Sequence, residues 1–192
     1  AIFNHGIFTK IINNTIKYNE QDGIKIASEG ARTTISSNNL VDNEGKSIII
    51  LAKNVAVSSN TIDADSSEIA ISILNANFSS IENNSVEGGN LGIKVQNSTS
   101  AFIYNNTIKS NSGFGIQILI NSESARVKFN QLTDNEDNAI VISSSNSTEV
   151  YNNTIKENAG YGFAATNSKL IDFKGNIIED NDGGVKYTNC DY

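Results

Sequence analysis

The stretch YNNTIKSNSGFGIQI at 104–118 returns as YNNTIKENAGYGFAA at 151–165 and as NNTIKYNEQDGIKI at 13–26. A unit that recurs in this way constrains the fold more than any single residue, because each copy buries its apolar face only against its neighbours. With the second Asn of each copy as origin, the series is Asn14, Asn39, Asn60, Asn84, Asn106, Asn130, Asn153 and Asn176, at steps of 25, 21, 24, 22, 24, 23 and 23 residues. Two residues after each origin comes an aliphatic residue: Ile16, Val41, Ile62, Val86, Ile108, Leu132, Ile155 and Ile178. Three residues before it stands another apolar residue, from Ile11 to Phe173, except in the second copy, where Ser36 takes the place and Ile35 lies one residue earlier. Further along each copy a small residue precedes a pattern of period two, as in Ile24/Ile26, Ile69/Ile71, Ile93/Val95 and Ile116/Ile118.

Alternation of this kind marks a strand with one buried face, and no stretch sustains helical spacing over three turns. Each copy therefore holds about three short strands, and winding one copy per coil buries all of their apolar faces together. The Asn series has two physical reasons: Asn tolerates the left-handed backbone of a sharp turn, and its amide carries both a donor and an acceptor. Stacked at the strand spacing of about 4.8 Å, such amides bond from coil to coil as a ladder. The expectation is an all-β, single-domain solenoid over 1–192, of about eight coils of 21–25 residues with an internal Asn ladder.

The pattern N-x-I-x-x-N-x-x-x-G-I-x-I at a spacing near 23 resembles the repeat of right-handed, single-stranded parallel β-helix proteins. That group includes pectate-lyase-like enzymes, alginate epimerases, phage tailspikes and periplasmic copper-accessory proteins. The resemblance covers essentially the whole chain and implies the fold. The motif consists of turn and core residues, so activity must be argued from sites.

Lys+Arg number 14 against Asp+Glu 21, a net charge of −7, which argues against nucleic acid as a partner. No apolar run has the roughly 18 residues of a membrane-spanning helix, so membrane insertion is not expected. Thirty of 192 residues are Asn, Pro, Met and Trp are absent, and the one Cys is Cys190. With abundant Ser and Thr, this composition points to an extracellular or cell-surface setting.

Four groups of residues are candidates for function. Acids cluster after the ladder position, most densely in DNEDN and EDND; Asp134, Asp137, Asp180 and Asp182 are the candidate oxygen ligands for Ca²⁺, although solvated turn charges have the same appearance. No other cofactor is indicated. Seven N-x-S/T sequons occur, of which Asn97 and Asn146 lie in longer turns and are candidate glycosylation sites. Tyr104, Lys128, Tyr151 and Lys174 occupy one repeat position, so Tyr and Lys alternate up one face. Tyr104 and Tyr151 there are candidate sugar-facing residues, or simply strand-stabilising aromatics. At the outward strand position Ile49 stands where other copies carry Lys25, Lys94, Gln117 or Lys186, and Ala70, Val141 and Ala164 are expected to share it.

The resemblance also supplies catalytic patterns to compare. Pectate-lyase-like enzymes use Ca²⁺-binding carboxylates with a basic residue, polygalacturonases adjacent carboxylates with Gly-His-Gly, and alginate epimerases a Tyr, His, Asp and Arg set. Here Arg occurs only at positions 32 and 126, no Asp-Asp pair exists, and the sole histidine, His5, sits in NHG. Asp134 and Asp137 with Lys128 come nearest to a lyase set, within one copy. The expected function is a non-catalytic structural or adhesive β-helix; the alternative is a module that binds or acts on acidic polysaccharide. Strand-like sequence at both ends, 1–12 and 183–192, predicts self-association by end-to-end stacking, with Cys190 placed to lock the junction.

Overall fold

The computed structural model describes residues 1–191. The chain is a right-handed parallel solenoid of about eight coils, with no helix among the described residues. Each coil visits three parallel sheets in turn. Sheet A has nine strands, from Ile2–Asn4 to Gly183–Thr188; sheet B has eight, from Lys10–Ile12 to Asp172–Lys174; sheet C has eight, from Thr15–Lys17 to Ile177–Glu179. Neighbouring strands come from successive coils and pair like over like, as in Ile93↔Ile116↔Ile140 and Ile103↔Val127↔Val150.

The repeat explains the core. The apolar residue after each ladder position lines sheet C inside, the one before it lines sheet B, and the alternating pair lines sheet A; Ile81, Ile93, Ile108, Ile116 and Ile118 are wholly buried. Each such side chain contributes about 1.5–3 kcal/mol by leaving water. In the sheet A strand Ile69–Leu74 the interior pair is Ile71 and Ile73, which pair with Ile48 and Ile50. Ala70 therefore occupies a small interior position, and Ser72 is the outward neighbour of Ile49. The same register position holds Ser47, Gly92, Gly115, Ala139 and Gly162, all small.

The ladder lies at the turn from sheet B to sheet C, and its second member is Asn38, not Asn39. Asn14 Nδ2 donates to Asn38 Oδ1 at 2.9 Å, and Asn38 Nδ2 to Asn60 Oδ1 at 3.0 Å. Asn39 begins the strand Asn39–Val41 and is exposed. With Asn38 as origin the first two steps become 24 and 22, and Ile35 and Leu40 take the two core positions. The ladder continues through Asn60, Asn84, Asn106, Asn130, Asn153 and Asn176 with Nδ2–Oδ1 distances of 2.9–3.0 Å. Each Oδ1 also accepts the backbone N–H of the preceding ladder Asn, and each Nδ2 from Asn38 onward also donates to a core-strand carbonyl, as Asn106 does to Ile81.

The left-handed backbone belongs to the residue before the ladder. Asn13, Asn83, Asn105 and Asn152 have φ between 53° and 59°. The two properties of Asn are thus divided within the doublet: the first residue makes the bend, and the second makes the amide ladder.

A second ladder forms at the turn from sheet C to sheet A. Asn19 bonds to Asn43 at 2.7 Å, and Asn111, Asn135, Asn158 and Asn181 follow one another at 2.7–2.8 Å. Between these runs the chain has Ser67 and Gly89 in the corresponding turns, and the buried Asn111 Oδ1 has no hydrogen-bond partner.

Candidate functional site

The three sheets have different outer faces. Across sheet A the middle outward row is Phe3, Lys25, Ile49, Ser72, Lys94, Gln117, Val141, Ala164 and Lys186. Beside it runs Leu74, Gln96, Leu119, Ser143, Thr166 and Thr188. Neither row contains an acid, on a chain with 21 of them. Sheet B, by contrast, shows Glu82, Glu149 and Asp172 to solvent, and sheet C shows Asp63, Glu87 and Glu179.

Along one edge of sheet A, where the chain arrives from sheet C, turn residues rise above the strands and make a wall. Two clefts there share Phe114 and Asp137. One is lined further by Glu68, Asn90, Leu91, Lys94 and Gln117, the other by Asn138, Val141, Tyr161, Ala164, Thr166 and Lys186. Together they form an open groove along the solenoid axis. From the coil of Lys94 to that of Lys186 there are four strand steps, about 19 Å at a spacing of about 4.8 Å.

Phe114 and Tyr161 stand on this rim two coils apart, each between two glycines. A Cβ on Gly113 would lie 2.4 Å from the Asn90 carbonyl oxygen, so only glycine lets the backbone pass this close to the next coil. Asp137 is tied down, accepting both the backbone N–H and the Nδ2 of Asn138 at 2.7 Å.

Pairing of the lysines does not follow the sheets strictly: Lys46 on sheet A pairs with Glu68, and Lys10, Lys17 and Lys53, off sheet A, have no acid partner among the described residues. Lys46, Lys109, Lys128, Lys156, Lys169 and Lys174 each pair with a carboxylate at 2.6–3.2 Å. Lys25, Lys94 and Lys186 on sheet A have no acid partner among the described residues; Lys186 Nζ instead lies 5.0 Å from the centre of the Tyr161 ring. The groove floor therefore carries two lysines without an acid partner, Lys94 and Lys186, while Asp137 lines both clefts from the wall.

The Tyr–Lys alternation predicted for one face is present on sheet B, where Tyr104, Lys128, Tyr151 and Lys174 are successive register partners. There the groups satisfy one another. Lys128 and Lys174 lie 4.5 and 4.4 Å from the Tyr151 ring centre, and the Tyr151 hydroxyl donates to Asp172. That hydrogen bond raises the Tyr151 phenol above its ordinary range and lowers the Asp172 carboxyl. Tyr104 stacks on Phe102 at 5.4 Å and meets Phe129 edge-on at 5.3 Å.

The proposed calcium ligands do not converge. Asp134 and Asp180 occupy equivalent left-handed turn positions with Glu157 between them, Asp137 lines the groove, and Asp182 donates its backbone N–H to Asn158. Among the described residues no three His, Cys, Asp or Glu side chains are arranged to hold a metal ion. Asn97 and Asn146 lie at the turn from sheet A to sheet B. Asn97 Nδ2 donates to Asn75 at 2.5 Å, whereas Asn146 uses its Oδ1, accepting from the Lys169 N–H at 2.9 Å. His5 is exposed, with Nδ1 3.4 Å from Glu29. Tyr192, last residue of the C-terminal stretch read as a stacking edge, lies outside the described residues.

A sequence profile described as the right-handed beta helix region matches residues 69–191. The chain belongs to the right-handed β-helix family. A sequence search among curated proteins finds no match. Among solved structures, this β-helix is similar to a double mutant of a periplasmic alginate epimerase (18% identity, TM-score 0.72), covering 91% of this chain and 49% of that one. It is also similar to the A-module of an Azotobacter vinelandii mannuronan C-5 epimerase (16%, 0.67, covering 96% and 57%). A third match is the Dettilon tailspike protein (14%, 0.59, covering 96% and 55%). At these identities the likeness is one of fold, and the chain spans about half the length of the structures it matches.

The groove was only partly readable in advance. Lys94, Gln117 and Lys186 were recognisable as outward strand residues. The sequence signal for Phe114 and Tyr161 is an aromatic between two glycines at the same place in two copies.

Proposed function

We propose that this β-helix is a secreted or surface module that binds acidic polysaccharide along the outer face of sheet A. The observation that carries the reading is the groove itself: two rim aromatics, two floor lysines without an acid partner and no acid in the outward rows. Aromatic rings offer flat apolar area at low entropic cost, and lysines with no acid partner can pair with a ligand's carboxylates. The solved structures of similar fold include proteins named as alginate and mannuronan epimerases, an α-1,3-glucanase and a tailspike, which supports a glycan as ligand. The reading assigns binding and no reaction. Affinity electrophoresis in gels containing neutral or acidic polysaccharides tests it: retardation by an acidic polymer, lost in the F114A/Y161A variant, supports it, and absence of retardation by every polymer defeats it.

End-to-end stacking of copies has one observation in its favour. Val185, whose stacked counterpart Phe163 is fully buried, is 43% exposed on the unpaired edge of the last sheet A strand. The same edge would accept a further coil of a longer chain. Light scattering at rising concentration separates the two, since only self-stacking gives growing particles that Val185→Asp abolishes.

A further inference from the structure

Resting on the end-to-end stacking reading, we infer that a second copy of this chain docks by strand exchange: the last sheet A strand of one copy, Gly183–Thr188, takes the place of the first, Ile2–Asn4, in the next.

The strand count calls for the exchange. Sheet A has nine strands and sheets B and C eight each, so Gly183–Thr188 stands one layer above a ledge formed by Asp172–Lys174 and Ile177–Glu179. A copy that seats its Lys10–Ile12 and Thr15–Lys17 strands on this ledge brings its own Ile2–Asn4 into the layer that Gly183–Thr188 already fills. One of the two must leave. Ile2–Asn4 pairs at three positions with Ile24–Ile26, whereas Gly183–Thr188 pairs at five with Tyr161–Thr166, and its Tyr187 ring lies 5.6 Å from that of Phe163. The shorter strand yields, and Gly183–Thr188 then lies beneath Ile24–Ile26 of the incoming copy.

The ledge and the strands that would sit on it are complementary. Carrying the register one coil further places Ile11 over Phe173 and Ile16 over Ile178. Phe173 and Ile178 are only partly buried, whereas their counterparts Val150 and Ile155, covered by a further coil, are fully buried. The same register sets Lys10 against Asp172 and Lys17 against Glu179, and neither lysine has an acid partner among the described residues of its own chain. Register partners pair in this way inside the molecule, Lys109 with Glu87 at 3.0 Å and Lys156 with Glu179 at 2.7 Å. Both amide ladders end in register as well. Among the described residues no group donates to Asn14 Oδ1 or Asn19 Oδ1, and no acceptor meets the backbone N–H of Asn176 or Asn181. Docking joins Asn176 to Asn14 and Asn181 to Asn19, so both seams run on into the next copy. Against this stand two like-charge contacts, Lys25 over Lys186 and Glu20 over Asp182.

Light scattering at rising concentration is run on the intact chain and on two charge-reversed variants, K10E/K17E and D172K/E179K, with thermal unfolding confirming that both fold. The intact chain should form growing particles, and either variant alone should need about tenfold more protein to do so. Mixing the two variants should restore growth, since each end then meets its complement. Hydrogen exchange read by mass spectrometry on the assembled chain should show new protection at 10–17 and 183–188 and lost protection at 2–4. Growth with 2–4 still protected, or a mixture that grows no better than its components, overturns strand exchange and leaves end-to-end stacking standing on other contacts. Absence of growth at every concentration, the outcome where a further coil of a longer chain covers the ledge, removes stacking and this inference together.

Discussion

Sheets A and B stand on the same coils and carry similar side chains outward, yet their surfaces have opposite character. On sheet B, Lys128 and Lys174 enclose the Tyr151 ring and pair with Glu149 and Asp172. On sheet A, Lys94 and Lys186 have no acid partner, and Tyr161 keeps a ring face at the rim of a groove. The difference lies in what occupies the neighbouring repeat positions. Sheet B offers a carboxylate beside each of these lysines, whereas on sheet A the register partners are Ser72 and Gln117 for Lys94 and Ala164 for Lys186. A face whose charges are matched internally gains a little stability and offers little to a ligand. An unmatched face gives up that gain and keeps its binding capacity.

The comparison holds only if the register beneath both faces is correct, and the largest expected effect tests that. Ile118→Ala removes a fully buried side chain under sheet A and should cost about 2–5 kcal/mol in urea unfolding. Its neighbour Gln117 faces the groove, so Gln117→Ala should change stability by less than about 0.5 kcal/mol while weakening ligand binding. The reverse order would mean that the strand is inverted.

The ladder comes next. Asn106→Ala leaves the N–H and Nδ2 of Asn84 without their Oδ1 acceptor and the Ile81 carbonyl without its side-chain donor; a loss of about 3 kcal/mol is expected. Asn38→Ala should behave similarly, because it interrupts the same chain of bonds. Asn39→Ala, at an exposed strand position, should stay within about 0.5 kcal/mol. Equal midpoint shifts for Asn38 and Asn39 would contradict the ladder described here.

A paired test of the two tyrosines addresses the faces directly. Tyr161→Ala should lower glycan affinity about tenfold with an unchanged melting temperature. Tyr151→Ala should leave affinity intact and cost less than about 1 kcal/mol of stability through lost lysine–ring contacts. If Tyr151→Ala weakens binding as much as Tyr161→Ala, sheet B belongs to the site.

The smallest effect is expected on sheet C. Burial pushes the Asp63 carboxyl above the usual range, and the charges of Asp65, Asp42 and Glu87 push the same way. The folded chain therefore takes up this proton at higher pH than the unfolded chain, and stability falls as pH rises through that window. Asp63→Asn should gain a few tenths of a kcal/mol at neutral pH, reduced by solvent screening, and nothing in acid where the carboxyl is already neutral. A gain that persists at low pH would point to packing instead of charge.

The sequence disclosed the solenoid because its period is enforced by packing: every coil needs the same apolar positions and the same turn. The misplaced Asn39 shows where such reading fails. In SSNNL either Asn fits an origin, and only the core positions Ile35 and Leu40 decide for Asn38. The second ladder was visible as a recurring Asn, yet Ser67 and Gly89 interrupt it and hid its continuity. The groove was the least legible part. Which turn residues gather on one rim depends on how coils of unequal length stack, a relation among residues more than twenty positions apart.

That interrupted ladder has a mechanical consequence. A solenoid with two continuous amide seams resists bending at both corners, like a beam with two stiff flanges. Between Asn43 and Asn111 one flange is missing, while the Asn60–Asn84–Asn106 seam runs through at the other corner. Ser67 Oγ still bonds to the Asn43 carbonyl there, but no amide ladder continues, so the rod is expected to bend most readily in these coils, about its intact seam. A load applied across the molecule would concentrate strain there, below the coils that carry Phe114 and Tyr161, and the upper segment would move as a stiff unit.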